Sequence, residues 1–201
     1  MKIPRFDGAH ILVVGDAMLD RYWHGDTHRI SAEAPIPIVD VNEVEDRPGA
    51  AANVALNVAT LGARASLVAA VGQDEPAGIL KGKLEAANIF CDLVELENAR
   101  TTTKLRIVSQ SQQIFRADFE DIVDVPGEKV VAHMSSSLKQ ADSVLLSDYD
   151  KGLLADPQSI IKAASDLGKP VLVDPKYKPL TDYRGATSIR IINALFLKFH
   201  K

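Results

Sequence analysis

The chain has 201 residues, 46% of them hydrophobic, with 23 Lys plus Arg against 27 Asp plus Glu for a formal net charge of −4. That length can bury one sizeable core, and the slight acidity gives no global field to draw in nucleic acid or an anionic membrane, so a phosphorylated ligand would need a local basic cluster. The lone Cys91 cannot form an internal disulfide, no charged-then-apolar leader is present and no apolar run approaches the roughly 20 residues of a membrane span, which together predict a cytoplasmic protein.

In chain order, the apolar runs are short, β-branched and bounded by Gly, Asp or Pro, and the segments between them have helical spacing, which predicts βαβ units and a parallel sheet. Ile11–Val14 reads as a buried strand that ends in Gly15 and Asp16, with Asp20 just beyond. The polar stretch with His24 and His28 reads as a loop, and the five histidines show no metal-ligand spacing, so no metal is assigned. Pro35–Val41 reads as an antiparallel edge strand, because its prolines suit an edge better than a sheet centre. The segment Arg47-Pro-Gly-Ala-Ala-Ala-Asn-Val-Ala55 opens a helix, predicted over Asn53–Leu61, with residues too small to block a ligand; Gly49 is free to take positive φ there.

Ser66–Val71 reads as the next buried strand and Pro76–Ala87 as a helix. Thr102–Ser109 and Ile114–Phe119 read as antiparallel strands joined by Gln110-Ser-Gln-Gln113. A helix over Glu128–Gln140 leads to the strand Val144–Leu146. Asp156-Pro157 then caps a helix that stops at Gly168, and Val171–Val173 forms another buried strand. Three of these strands end in an acid, at Asp16, Asp148 and Asp174. In a parallel sheet such ends share one edge, where open α/β sheets bind ligands. A carboxylate there can accept a hydroxyl of a polyol, and it can equally cap a turn or a helix.

Asp16 and Asp20, the Gly49–Asn53 turn and the glycines at 62 and 72 resemble the N-terminal signature of the ribokinase-like (PfkB-type) carbohydrate kinases. The wider wording is similar to the D-glycero-β-D-manno-heptose-7-phosphate kinases, the kinase half of a bifunctional ADP-heptose synthesis enzyme. It is carried by Asp20-Arg-Tyr-Trp-His-Gly25, Arg29–Val39, Thr103-Lys-Leu-Arg106, Leu146-Ser-Asp-Tyr-Asp-Lys-Gly152 and Val173-Asp-Pro-Lys176. The resemblance implies an α/β fold, a ribokinase-like parallel sheet flanked by helices, with a small β lid formed by about 21–47 and 102–119. It also implies ATP and Mg²⁺ as the family's cofactors and a homodimer joined through the lid.

On this reading Asp16 and Asp20 anchor sugar hydroxyls, Gly49 and Ala50 let the backbone approach the ligand, and Asn53 offers a donor and an acceptor. Ala50 departs from the family's commoner Gly-Gly. Asp148 joins the crevice, and Lys104, Arg106, Arg116 and Lys176 are the cations available to a sugar phosphate, unless they are simply solvated. Tyr22 and Trp23 either wall a sugar or pack in the lid.

Intact family members carry an Asn-x-x-Glu segment near Mg²⁺ and then a Gly-Ala-Gly-Asp turn, whose Asp is the base and whose N–H groups form an anion hole. Both belong to the family's C-terminal part, and neither occurs in that part of this sequence, so no catalytic residue is assigned. Residues 1–189 are expected to be the N-terminal part of the kinase domain, with the C-terminal part of the fold missing, and 190–201 a basic, aromatic tail that departs from the family, either an out-of-frame extension or a final amphipathic strand or helix. The expected function is a heptose 7-phosphate kinase lineage that keeps its sugar site and lacks activity alone. The alternatives are another ribokinase-like sugar kinase or a non-catalytic sugar-phosphate-binding dimeric remnant.

Overall fold

A computed structural model describes residues 6–190; beyond Arg190 the expected tail lies outside the described residues. His10–Gly15 (β1) forms the centre of a parallel sheet. It pairs on one side with Arg64–Gly72 (β4), which pairs with Phe90–Leu96 (β5). On its other side it pairs with Ser143–Asp148 (β8), followed outward by Val171–Pro175 (β9) and Ser188–Ile189 (β10). The order among the described residues is β10-β9-β8-β1-β4-β5. The chain leaves β1 in one direction and later returns on the opposite side, so the strand order reverses between β1 and β8, the place where sheets of this kind hold ligands.

Alternation along the strands decides which helix packs where. Leu12, Val14, Val68, Val144 and Leu146 face one way, onto Gly127–Gln140 (α3) and Pro157–Asp166 (α4) through Val130, Met134, Ile160 and Ala164. Val13, Leu67, Ala69 and Val71 face the other way, onto Ala51–Thr60 (α1) and Glu75–Ala86 (α2) through Ala51, Ala52, Ala55, Leu80 and Leu84. Asp74 and Asp156 cap α2 and α4, each accepting a bond from the backbone N–H three residues on, with proline at the second helical position of α2 and the first of α4.

The lid is a second sheet, ordered β3-β2-β6-β7, made by Ala17–Ile30 (β2), Pro37–Ala50 (β3), Thr103–Ser109 (β6) and Gln112–Phe119 (β7). β2 and β6 are parallel partners in its middle, and each carries an antiparallel neighbour. Three expectations are corrected here. The stretch with His24 and His28 is not a loop but part of β2, which begins two residues after β1 ends and is irregular at His24/Gly25 and Thr27/Arg29. The β6–β7 turn is only Gln110-Ser111, both at positive φ (50° and 65°), so β7 starts at Gln112. The strands β5 and β10 are additional to those expected.

Gly49 does not take the positive φ expected of it. A Cβ there would collide with the Asp20 carboxylate and lie 2.8 Å from Met18 Cγ, so glycine is needed for space. The left-handed backbone falls on the next residue, Ala50, at φ 51° and ψ −127°, where the lid joins α1. An L-residue held there stores roughly 1–3 kcal/mol of strain, while glycine costs about 0.5–1 kcal/mol in unfolded-chain entropy. Ala50→Gly is therefore expected to stabilise the fold by about 1 kcal/mol in urea unfolding. An unchanged or lowered midpoint would refute the strain.

Candidate functional site

The carboxyl edge of β1 and β8 is organised by two buried acids. Asp16 is only 4% exposed, and its carboxylate accepts three backbone N–H groups from the loop after β8. Oδ2 accepts from Tyr149 (2.8 Å) and Lys151 (3.1 Å), and Oδ1 from Leu153 (3.2 Å). Burial raises its proton affinity, the amide bonds work against that, and the nearby Asp148 charge adds to the rise. The pocket it faces, shared with Thr102, Asp121 and Lys151, holds about 20 Å³, room for a water but not for a sugar ring. In this geometry Asp16 holds the 149–153 loop.

Asp148 is likewise engaged by protein. It is 1% exposed; Oδ1 accepts from the Asp150 N–H (2.8 Å) and Oδ2 from the Tyr183 hydroxyl (2.7 Å) and Lys178 Nζ (3.1 Å). Lys178 also donates to the Leu154 carbonyl at 2.6 Å. Burial and the Asp148 bond push the Tyr183 phenol far up, so it stays a donor. Sequence reading missed both Lys178 and Tyr183, and only a buried partner reveals them.

Asp20 lies four residues beyond Asp16, in β2 at the root of the lid, and is partly open to solvent. Arg106 Nη1 donates to its Oδ1 at 2.7 Å, and its other oxygen lies against Gly49. Register places Asp20 opposite Lys104 and Tyr22 opposite Arg106, so the expected face of β6 is real and continuous with β2. Arg106 and Arg47 both stack on the Tyr22 ring, at 5.1 and 4.7 Å. Lys104 and Arg116 meet on one carboxylate, Asp118, at 3.0 and 2.9 Å. Partial desolvation opposes ionisation of Asp118, but the two cations outweigh it and hold the carboxyl below its usual range. Trp23 faces away, into an apolar pocket with Leu105, Phe119 and Pro76.

From the body of the fold, Tyr149 approaches Asp20. Its phenol is pushed up by burial and then by the charges of Asp174 and Asp20. Lys176 extends over the Tyr149 ring, with Nζ at 4.8 Å from the centroid. Burial raises the Asp174 carboxyl as well, against the pull of Arg190. Asn53 is exposed on the first turn of α1. The structure thus brings Asp20, Arg106, Lys104, Arg116 and Lys176 to one open region and leaves Asp16 and Asp148 beneath its floor. Tyr149 and Asp118 belong to that region and were not expected. Among the described residues, no group of three or more His, Cys, Asp or Glu side chains is placed to hold a metal ion, so none is assigned to Mg²⁺.

If Asp16 holds the loop through three amides, Asp16→Asn must turn an amide donor toward a backbone donor and leave at least one buried N–H unpaired. The expected loss is about 1–3 kcal/mol in urea unfolding, with the ordinary lid ion pairs intact. A variant as stable as the parent would show that the loop does not depend on Asp16.

Residues 9–196 match the pfkB family carbohydrate kinases. The chain is 51% identical over 189 residues to the bifunctional protein HldE of Pseudomonas savastanoi pv. phaseolicola, and 50% identical over 186 residues to that of Aliivibrio salmonicida. These alignments cover 94% and 92% of this chain but 40% and 39% of the relatives, so it spans about two fifths of their length. Among solved structures, a protein from Agrobacterium tumefaciens assigned to the ribokinases superposes with a TM-score of 0.63 at 26% identity, over 90% of this chain and 58% of that one. A ribokinase from Cryptococcus neoformans in complex with ADP superposes at 0.58 and 19% identity, over 84% and 50% of the two chains, a likeness of fold. The doubly wound sheet, its β lid and the match along nearly the whole sequence agree: the chain belongs to the pfkB family of carbohydrate kinases.

Proposed function

We propose that this chain is the sugar-binding portion of an ATP-dependent kinase that phosphorylates D-glycero-β-D-manno-heptose 7-phosphate at its anomeric hydroxyl, a cytoplasmic step toward ADP-heptose and the lipopolysaccharide core. One observation carries the reading: Asp20 lies between a lid face bearing Lys104, Arg106 and Arg116 and a body edge bearing Tyr149 and Lys176. A sugar phosphate needs both halves of that arrangement. Its hydroxyls donate to an ionised carboxylate, and its phosphate takes Lys or Arg donors, each such charge-assisted bond contributing roughly 1.5–3 kcal/mol. The HldE relatives support the choice of sugar.

ATP and Mg²⁺ supply the γ-phosphoryl group and its charge neutralisation in such kinases. None of the described residues is assigned to either. The 201 residues contain no Gly-Ala-Gly-Asp turn, so by themselves they supply a sugar site and no such turn. Exposed Val44 and Phe115 on the lid are apolar surface for a second copy's lid, which supports the homodimer.

Calorimetry with heptose 7-phosphate and unphosphorylated heptose tests the assignment. Asp20→Ala is expected to weaken both ligands alike, and Lys176→Ala only the phosphorylated one, by roughly 1.5–3 kcal/mol. Equal losses in Lys176→Ala would remove that lysine from the phosphate subsite, and failure of the parent chain to bind either sugar would sink the proposal. In a coupled ADP assay, the missing base and anion hole predict rates lower by a factor of at least ~10⁴ than an intact homologue. Turnover within tenfold of it would refute the inactive reading.

A further inference from the structure

We infer that Asp118 is a built-in stand-in for the phosphate of the ligand, a carboxylate that occupies the lid's cationic pair until a phosphate displaces it and that thereby sets the selectivity of the site. The inference deepens the proposed sugar-phosphate reading and rests on it for the identity of the natural ligand. Lys104 Nζ donates to Asp118 Oδ2 at 3.0 Å, and Arg116 reaches both oxygens, Nε at 2.9 Å from Oδ1 and Nη2 at 3.0 Å from Oδ2. The three residues lie on facing positions of β6 and β7, Lys104 opposite Asp118, with Arg106 opposite Arg116 and Asp20 next to Lys104 on β2. The two cations converge on one oxyanion on the face that holds the sugar carboxylate.

That arrangement has three consequences. Two cations 3 Å from one carboxylate are already oriented for a tetrahedral oxyanion, so a phosphate meets donors whose rotamers are largely fixed. The pair must be broken or shared when the phosphate arrives, so its affinity is reduced by the strength of the bonds to Asp118, and weakly charged anions are turned away. The trio is also partly exposed, with side-chain exposures of 15% for Lys104, 49% for Arg116 and 27% for Asp118, so exchange needs no opening of the core. On the same face Asp20 pairs with Arg106, and Glu45 with Arg47 and, at 3.8 Å, with the His24 ring. Asp118 holds a lysine and an arginine at once, both within 3.0 Å, the geometry a phosphate would adopt.

The test is Asp118→Asn, read by calorimetry with orthophosphate, heptose 7-phosphate and unphosphorylated heptose, with thermal unfolding to confirm the fold. Orthophosphate and heptose 7-phosphate are expected to bind roughly tenfold more tightly, because a competing charged acceptor is gone, while unphosphorylated heptose is unchanged. In Asp118→Asn/Lys104→Ala the gain should vanish, which ties it to this cation rather than to net charge. Weaker or unchanged phosphate binding in Asp118→Asn would overturn the inference and make Asp118 a residue that merely orients the cations. Should orthophosphate gain affinity while heptose 7-phosphate binds neither protein, the stand-in role survives and the choice of sugar fails.

Discussion

A single buried side chain, Asp16, ties the central strand of the sheet to the loop beyond β8, and the candidate site is built on that tie. Its carboxylate gathers N–H groups from residues 149, 151 and 153, all more than 130 positions away in sequence. Burying a carboxylate is costly, and three amide donors offset part of that cost here. The same region repeats the device with Asp148, which draws in Lys178 and Tyr183 from the segment after β9. Two adjacent strand ends are thereby made into a rigid floor. Gly15 shares in this, since any side chain there would collide with the Ser147 carbonyl and force β1 and β8 apart.

The lid works by the opposite physics. Its charges lie near solvent, where ion pairs contribute little to stability and exchange readily. Arg106, Arg47, Lys104 and Arg116 are all held by carboxylates of the same face, so the surface is internally neutralised yet keeps polar groups that a ligand can take over. The lid is fastened to the body elsewhere, where Arg21 on the opposite face bridges Asp46 of β3 and Glu75 at the start of α2. The bonds that tie the lid to the body and the ion pairs around Asp20 therefore lie on different faces of one sheet, as strand alternation allows.

Much of this was legible in local sequence. Apolar runs of three to six residues between Gly, Asp and Pro marked β1, β4, β8 and β9, and the Asp-Pro pair at 156–157 marked the start of α4. The lid hairpin around Gln110 and the edge position of the proline-bearing β3 followed from turn and proline chemistry. The alternation of Lys104 and Arg106 against Leu105 gave the charged and apolar faces of β6.

What sequence left undecided was every assignment that depends on a distant partner. Residues 24–28 read as a loop because their polar, Gly-containing run lacks apolar alternation, and they belong to a strand because β3 pairs along this stretch, with β6 reaching only as far as His24. Positive φ was expected at Gly49, and the junction between the lid and α1 put it at Ala50. Asp16, Asp20 and Asp148 carried one pattern, an acid at or just past the end of an apolar run. Only the tertiary structure separated them, surrounding two with N–H, ammonium and hydroxyl donors and leaving the third beside Lys104 and Tyr149. Local sequence determined the elements because helix caps, turns and hydrophobic period act over a few residues. The role of each carboxylate was decided by which donors the completed fold brings within 3 Å, and that distance is fixed by the whole chain.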